Sequence, residues 1–476
     1  MRDGLSASRC CCYHAAPPTA PRTTAMTQCI ERVSVGRTGR RVIVSTCDGG
    51  KLVSDGGATL LGIADRDLEL TARIAACFPD HRAPSRVTHS MLALVRQRVF
   101  AIAAGYEDLN DHLALRDDAM LRLLVGRAPE DHALACPATL CRFENRSGSV
   151  GLLRVMDVLI DTFIESFSRT TPSEPLILDI DATADPAHGN QERNFFNGFY
   201  DGHCFLPLFI FCGDRLLFSW LRPSSRSAAY NARAAIATVV NRLRERWPDV
   251  EIIVRGDAGF STPRILDWCD ENDVGYVIGY SKNSKLNQRI AGHLERARGM
   301  SEARGEAARV YTSFYDQARS WPWKRRIVAK AEWIGDRANP RYVVTNIRGQ
   351  AREIYEDRYC ARGDMENRIK EQQYGLFSDR TSCHAFRANQ IRLALSAVAY
   401  TLIEHVRRIG LKGTQMERAQ TWIIRERLFK VAARVLLSVR RVRLQLSETW
   451  PHAGTLNAAL ANLLRRAHGP PDWSLA

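Results

Sequence analysis

The sequence predicts an α/β protein in which a mixed β-sheet is flanked along the chain by helical regions. Hydrophobic residues make up 45% of the 476 residues, which is enough to bury a sizeable core. The middle of the chain contains apolar runs in the order three strands, helix, strand, helix, strand. Because a helix precedes each of the last two strands, we expect parallel as well as antiparallel pairs. Helical periodicity dominates before residue 150 and after residue 383.

The charge balance favours a polyanionic partner. Lys and Arg number 67 against 52 Asp and Glu, a formal net charge of +15. Cations placed on phosphates release condensed counterions, so a surplus of this size is typical of nucleic-acid binding. Solubility charge alone is the alternative, and we favour nucleic acid over it.

The cysteines and the hydropathy pattern exclude several other classes. The 13 cysteines contain no Cys-x-x-Cys pair, so neither a zinc ribbon nor a dithiol redox motif is supported. Their odd number and the lack of an export signal predict reduced thiols and a cytoplasmic location. No apolar run approaches the roughly 18 residues of a membrane-spanning helix, so we expect no membrane partner.

The amino-terminal part is predicted to hold a tail and a DNA-binding domain. Residues 1–29 are interpreted as disordered or as an over-extended start, with Met26 as the alternative first residue. Residues 30–150 are predicted to be mostly helical and to contact DNA, since they include a basic stretch with Arg82, Arg86, Arg96 and Arg98. We favour a helix-capping turn over a metal site for the polar group Asp108, Asp111 and His112.

Residues 151–280 are predicted to form the first part of the sheet. Asp179 and Asp181 lie two residues apart in one apolar strand, so they share a face. Two carboxylates on one face are costly unless they are hydrated, paired or metal-bound. A second strand ends at Gly256, and Asp257 stands at its exit.

The remaining segments are predicted from their composition. Residues 281–340 are interpreted as a β-rich insertion, whose tryptophans suit either base stacking or a core of their own. Residues 341–382 return to the sheet and include a helix at 359–373, where Tyr359, Arg362, Glu366 and Gln373 share one stripe. Residues 383–476 are predicted to be a basic helical region, either DNA-contacting or simply solvated.

Three acidic positions suggest the chemistry. Asp181 or Asp179, together with Asp257 and Glu366, would supply hard oxygen ligands of the kind that Mg²⁺ and Mn²⁺ prefer. Two such ions, about 4 Å apart, activate the attacking oxygen and stabilise the leaving oxygen in phosphoryl transfer. The sequence therefore predicts a two-metal site that acts on DNA.

The same segments carry a family resemblance. The chain resembles the DDE transposases of bacterial insertion sequences, with insertion-sequence family 1380, in the branch with a Y-R-E-K signature, as the best match over residues 30–410. Three segments around the acidic positions carry the likeness: Leu-Asp-Ile-Asp-Ala-Thr, which ends at Thr183, Arg-Gly-Asp-Ala-Gly-Phe, which contains Asp257, and Tyr359-x2-Arg362-x3-Glu366. Three further segments add to it, namely His188-Gly-Asn-Gln191, Ser54-Asp-Gly-Gly57 and Gly105-Tyr-Glu-Asp108.

The resemblance implies a ribonuclease-H-like catalytic core (residues 151–280 and 341–382) with the insertion 281–340 between its parts. It assigns catalysis and metal binding to Asp181, Asp257 and Glu366, with Asp179 as the alternate for the first acid. It implies DNA contacts by Tyr359, Arg362, Arg368 and Lys370, and by Gln373, which stands where the signature has lysine.

The resemblance further implies an endonuclease and strand transferase that uses two Mg²⁺ ions, with Mn²⁺ as a substitute. Its partners would be the terminal inverted repeats and target DNA, bound by a homodimer in the bacterial cytosol near the nucleoid. Two alternatives stay open at this point. One is a catalytically impaired or domesticated DNA-binding derivative, and the other is a stand-alone metal-dependent nuclease.

Overall fold

The computed structural model describes residues 33–48, 50–146, 148–167 and 171–466. The predicted tail, 1–29, lies outside these residues. The chain divides into two compact units, Met1–Leu52 and Val53–Ala476. In the described part of the first unit, β1 (Val33–Thr38) pairs antiparallel with β2 (Arg41–Ser45). A two-residue strand, β3 (Leu52–Val53), follows in the chain.

The described residues from 54 to 167 are mainly helical. Their helices are α1 (Thr59–Leu68), α2 (Leu70–Ala76), α3 (Met91–Ala104), α4 (His112–Leu115), α5 (Ala119–Val125), α6 (Pro137–Arg146) and α7 (Ser149–Glu165). Ser90 caps α3 by accepting a hydrogen bond from the Ala93 amide at 3.2 Å. Twelve of the 14 residues of α3 are buried, as expected of a helix that is apolar on most of its surface.

Two arginines of this region correct the sequence interpretation. Arg96 and Arg98 were counted toward a basic DNA surface, but both are buried in the helical core. Arg98 forms an ion pair with Glu144 at 2.9 Å, and Arg96 lies 3.5 Å from Asp65. A buried guanidinium must be paired, so these two residues contribute to packing and leave the surface charge to other arginines.

The central part of the chain builds the sheet. Its strands are β4 (Leu176–Ala182), β5 (Asp185–Pro186), β6 (Phe195–Asn197), β7 (Gly202–Phe205), β8 (Leu208–Cys212), β9 (Arg215–Trp220), β10 (Ile252–Gly256) and β11 (Gly275–Tyr280). The intervening helices are α8 (Ala232–Arg246) and α9 (Pro263–Glu271). Pro263 opens α9 where its missing amide hydrogen costs nothing. The predicted order of three strands, helix, strand, helix, strand is confirmed for the central sheet, as β4, β8, β9, α8, β10, α9 and β11; the short strands β5, β6 and β7 form a separate sheet that was not predicted.

The segment predicted as a β-rich insertion contains about as many helical residues as strand residues. It contains α10 (Ser284–Arg289), α11 (Ala291–Arg304), β12 (Ala308–Asp316), β13 (Arg325–Ile334) and β14 (Arg337–Ala338), and β15 (Arg341–Thr345) follows it. Trp321 is buried in the protein core, whereas Trp323 is 43% exposed. Rather than forming a separate sheet, β12 and β13 extend the central one, because β13 pairs with β15.

The central sheet is mixed, as predicted. Its strand order is β12-β13-β15-β11-β10-β4-β8-β9, with β14 paired to β13. Neighbours β4, β10 and β11 run parallel. All other neighbouring pairs are antiparallel. The carboxyl ends of β4 and β10 therefore meet at one edge of the sheet.

The carboxyl-terminal part contains α12 (Ala351–Glu353), α13 (Gly363–Lys370), α14 (Phe386–His405), α15 (Thr421–Ile424) and α16 (Ala453–Arg466). Helical turns of π or 3₁₀ type connect α12 to α13 and extend α13 to Gly375, so the predicted helix 359–373 is present with local irregularities. The prediction that residues 383–476 are helical throughout is wrong, because β16 (Ala433–Ser438) and β17 (Arg441–Leu446) form an antiparallel hairpin. Among the described residues, no helix is long and apolar enough to cross a bilayer.

Candidate active site

The site is organised by the ends of two parallel strands. Asp181 is the penultimate residue of β4, and Asp257 directly follows β10. The register pairs Ile180 with Gly256, so the next residue on each strand is one of these acids. Gly256 permits this close pairing, since a Cβ there would lie 2.9 Å from Ile180. The two carboxylates therefore lie side by side at the carboxyl edge of the sheet.

Both carboxylates are oriented by backbone amides. Asp181 accepts a hydrogen bond from the amide of Ala182 at 2.9 Å. Asp257 accepts one from the amide of Gly259 at 2.9 Å and so caps the 3₁₀ turn Ala258–Phe260. Each bond uses one carboxylate oxygen, so further oxygen lone pairs are left for a cation or for water.

Arg362 brings the third acid to the strand ends. Its Nη2 lies 2.9 Å from Oδ2 of Asp181, and its Nη1 lies 3.7 Å from Oε1 of Glu366 one turn later. The Arg362 side chain is largely buried, while Glu366 is more than half exposed. Met365 and Ile369 are buried on the other face of α13 and fix the helix against the core. The predicted stripe thus faces the two aspartates.

Tyr359 packs against the strand beside Asp257. A Cβ at Gly279 of β11 would lie 2.7 Å from the Tyr359 hydroxyl oxygen and 2.8 Å from the Ala258 amide nitrogen. Only glycine fits there without a shift of backbone or side chain. Gly279 therefore allows the Tyr359 hydroxyl to reach the peptide that follows Asp257.

The pKa shifts show that the charged groups interact. Burial raises the pKa of Asp181 to about 6; Arg362 opposes the shift, and Asp257 and Glu366 add to it. Burial lowers the pKa of Arg362, but the charges of Asp181 and Asp257 outweigh it and raise that pKa overall. The pKa of Tyr359 is raised by burial, and Asp257 adds to this shift. The site is therefore a cluster of three acids with one cation among them.

Asp179, the alternate first acid, is engaged elsewhere. Its carboxylate forms a bidentate pair with Arg255 of β10, at 2.5 Å to Nε and 2.7 Å to Nη2. Both side chains are buried, and Arg255 also donates to the Arg358 carbonyl at 2.6 Å. The fork geometry occupies both oxygens of Asp179. It therefore has little capacity left for a metal, whereas the ion pair of Asp181 is with Arg362, inside the cluster of acids.

Three predicted DNA contacts follow Glu366 along the helix. Gln373 donates to the Ala184 carbonyl at 3.0 Å and lies 3.4 Å from the Thr183 hydroxyl, so it joins the helix to the exit of β4. Arg368 is held by ion pairs with Asp214 at 2.7 Å and Glu371 at 2.9 Å. Lys370 is exposed and has no ion-pair partner among the residues that the structure describes.

Metal binding requires a change in this arrangement. Within the described residues, no group of three or more His, Cys, Asp or Glu side chains is placed to hold a metal ion. The donor chemistry does fit Mg²⁺ or Mn²⁺, because Asp181, Asp257 and Glu366 all present carboxylate oxygens. Arg362 lies between Asp181 and Glu366, and its Nε is buried without a hydrogen-bond partner. A cation could replace its guanidinium.

Tyr200 and Phe199 are site residues that the sequence analysis missed. The Tyr200 hydroxyl lies 3.4 Å from the carbonyl of Ala182, next to Asp181. Burial raises the Tyr200 pKa, and the charges of Asp181 and Asp257 add to it, so its ring is close to both acids. Phe199 packs edge-on against Tyr200 and is 86% exposed. An aromatic pair in a polar loop was the available signal.

Contacts decide one of the alternatives that the sequence left open and bear on a second. Asp108 caps a 3₁₀ turn, accepting from the Asn110 amide at 2.9 Å, which confirms the capping interpretation. His112 is buried against Gln97 and Arg98, and burial lowers its pKa to about 3. In the carboxyl-terminal region, Arg407 pairs with buried Glu371 at 3.0 Å and is not available to DNA.

Comparison with known proteins identifies the family. A sequence model described as Transposase DDE domain group 1 matches residues 35–468, nearly the whole chain. A search of curated protein sequences gave no match. The extent of the family match shows that the chain belongs to this DDE transposase family.

Proposed function

We propose that this member of the DDE transposase family cleaves DNA at the terminal inverted repeats of an insertion sequence and joins the freed ends to target DNA. The observation that supports it most is the convergence of Asp181, Asp257 and Glu366 around Arg362. We further propose Asp181, rather than the paired Asp179, as the first catalytic acid.

The sheet supports a ribonuclease-H-like core for this chemistry. In the central sheet, β4, β8 and β9 are antiparallel neighbours. On the other side of β4, the strands β10 and β11 run parallel to it. In this proposal residues 151–280 and 341–382 form that core, and 281–340 is an insertion that adds strands to its edge. The signature Tyr359, Arg362 and Glu366 supports the insertion-sequence family 1380 branch, from which Gln373 departs.

The residues have separate roles. Asp181, Asp257 and Glu366 would hold divalent metal, two Mg²⁺ ions or Mn²⁺ in their place. When bound, the metal supplies an activated water or 3′-hydroxyl and stabilises the leaving oxygen. The amides of Ala182 and Gly259 keep the two aspartates in position. Gln373 ties the helix that carries Glu366 to the strand that carries Asp181.

Arg362 would have one role in the metal-free site and another in the metal-bound site. Without metal it neutralises part of the charge of the three acids. With a cation in this role, its guanidinium would be available to bind a phosphate oxygen near the scissile bond, as a planar fork does well. The Tyr359 hydroxyl lies beside the peptide that follows Asp257, and Tyr359 would contact the same DNA strand.

Further DNA contacts are proposed around this centre. Lys370 is exposed one turn beyond Glu366 and would contact phosphate. Phe199 and Tyr200 present aromatic surface beside the aspartates, where nucleobases next to the scissile phosphate would stack. Arg368 would contact DNA only at the cost of its pairing with Asp214. A homodimer bridging two element ends, acting in the bacterial cytosol at the nucleoid, completes the proposal.

A two-part assay tests this function. Nicking of an inverted-repeat duplex in Mg²⁺ is compared for the wild type and Asp257→Ala, and joining of a pre-cleaved end to a plasmid is then scored. We expect nicking and joining by the wild type and neither by the variant. Equal nicking by both proteins would refute the site. Nicking without joined products would identify a stand-alone nuclease, and DNA binding without either would identify a non-catalytic derivative.

A further inference from the structure

A basic cleft of about 950 Å³ lies in the amino-terminal helical region. It is formed by the loop between α2 and α3, the end of α6 and the start of α7. Four exposed arginines from these three elements line it, namely Arg86, Arg142, Arg146 and Arg154. The catalytic residues described above do not line this cleft.

The charge of the basic cleft is not neutralised by the protein. Within the described part of the chain, none of the four arginines forms an ion pair; Arg142 only contacts the Thr139 hydroxyl at 3.1 Å. Asp80 is the one carboxylate in the lining, and Arg82 holds it with bonds of 2.6 and 2.7 Å. Four like charges around one opening repel each other, so binding of an anionic partner would reduce this electrostatic repulsion.

The walls of the cleft are closely packed. A Cβ at Gly151 would lie 2.8 Å from both the Cys77 carbonyl and the Phe78 ring, so α7 packs directly on the end of α2. Phe78 in turn packs edge-on against Phe143 of α6 at 5.9 Å. The arginines therefore project from a fixed frame, and less entropy is lost when they bind.

We infer that the basic cleft binds the phosphodiester backbone of duplex DNA, at a distance from the catalytic carboxylates. Arg142 and Arg146 are one helical turn apart, about 6 Å between Cβ atoms. Arg86 and Arg154 lie on two other elements that line the same cleft. Guanidinium groups distributed over three elements suit a polyanion with regularly spaced phosphates better than a single small anion.

This inference rests on the proposed function and names the surface that positions the element end. Backbone contacts fix the register of DNA on the protein without reading sequence. The cleft would therefore strengthen binding to all duplexes alike. Catalysis would depend on it through binding alone.

The test measures DNA affinity of the full chain by fluorescence anisotropy over a range of salt concentrations, without divalent metal. The probes are an inverted-repeat duplex and a scrambled duplex. The test variant is Arg142→Ala/Arg146→Ala/Arg154→Ala. The matched control is Arg233→Ala/Arg296→Ala/Arg304→Ala, three exposed arginines on α8 and α11 outside the cleft. Thermal unfolding confirms that both variants fold, and a triple Arg→Lys variant keeps the charge.

Counterion release predicts the size of the effect. Three lost phosphate contacts lower the slope of log K against log salt by about 2.7, which is roughly a 100-fold loss of affinity at 0.15 M salt. We expect this loss for both duplexes, with the control and the Arg→Lys variant close to wild type. Unchanged affinity and slope in the Ala variant would overturn the inference. Failure of the proposed function would instead show as no cleavage by the wild type despite normal binding.

Discussion

Replacing Asp179 by alanine tests which aspartate of β4 is structural. Asp179 and Arg255 are 4% and 7% exposed and share two bonds of 2.5 and 2.7 Å. Removing one partner of a buried pair leaves the other charge uncompensated, which costs about 3–5 kcal/mol. Burial and two neighbouring carboxylates already disfavour the charged form of Asp181. Because little favourable charge interaction is lost with this side chain, we expect Asp181→Ala to change the free energy of unfolding by less than about 1 kcal/mol.

The measurement is urea unfolding followed by intrinsic fluorescence, with nicking of the inverted-repeat duplex measured in parallel. Asp179→Ala should unfold at clearly lower urea but, while folded, retain nicking within about tenfold. Asp181→Ala should keep its stability and lose nicking. The double variant Asp179→Leu/Arg255→Met should recover most of the stability, because an apolar pair replaces the ion pair.

The opposite pattern would refute this assignment. If Asp179→Ala unfolds like the wild type and loses nicking while Asp181→Ala retains it, Asp179 is the catalytic acid. A double variant no more stable than Asp179→Ala would show that the loss does not come from the uncompensated charge of Arg255.

Three further predictions address other contacts. Arg362→Ala should lower the melting temperature without metal and increase the stabilisation by Mg²⁺, since Asp181 and Glu366 lose the guanidinium beside them and a cation restores the positive charge. Equal Mg²⁺ shifts in variant and wild type would contradict this. Asp185 is buried and accepts a hydrogen bond from the Thr381 hydroxyl at 2.7 Å, and burial raises its pKa to about 8. The folded state therefore keeps a proton that the unfolded state has lost, so the free energy of unfolding should fall by a few kcal/mol from pH 4 to pH 8. Asp185→Asn should remove this pH dependence when unfolding is measured across pH, and a dependence that persists in the variant would exclude Asp185 as its source. Gly279→Ala should reduce nicking at least tenfold, because its Cβ would meet the Tyr359 hydroxyl at 2.7 Å and the Ala258 amide at 2.8 Å. The double variant Gly279→Ala/Tyr359→Phe should recover nicking only in part. Nicking at the wild-type rate by Gly279→Ala would show that this close packing is not needed.

The sequence could predict those parts of the fold that local patterns encode. The strand that holds Asp181, the strand that ends before Asp257, and the helix that carries Glu366 each had the expected periodicity. The choice between Asp179 and Asp181 could not be made from period two, because both share a face. The partner of Asp179 comes from β10, 76 residues away in the chain.

Other differences also come from long-range pairing. Arg96 and Arg98 look like surface cations until the structure places Asp65 and Glu144 beside them. The hairpin β16–β17 was missed because its charged residues suggested solvated helices. Its alternation, with Ala433 and Val435 buried and Arg434 exposed, was the strand signal. Gln373 is predicted among the DNA contacts, in the place of the signature's lysine, yet its amide donates to the Ala184 carbonyl, a role that no local pattern indicates.

In the proposed site, Glu366 completes a metal-dependent centre with Asp181 and Asp257. Asp364 offers a matched control, an exposed acid two residues away on the same helix. The decisive measurement is the Mg²⁺-dependent nicking rate of an inverted-repeat duplex by Glu366→Gln and Asp364→Asn. The proposal predicts a loss of about 10³-fold or more for Glu366→Gln, with Asp364→Asn near wild type. Equal rates for the two variants would contradict it.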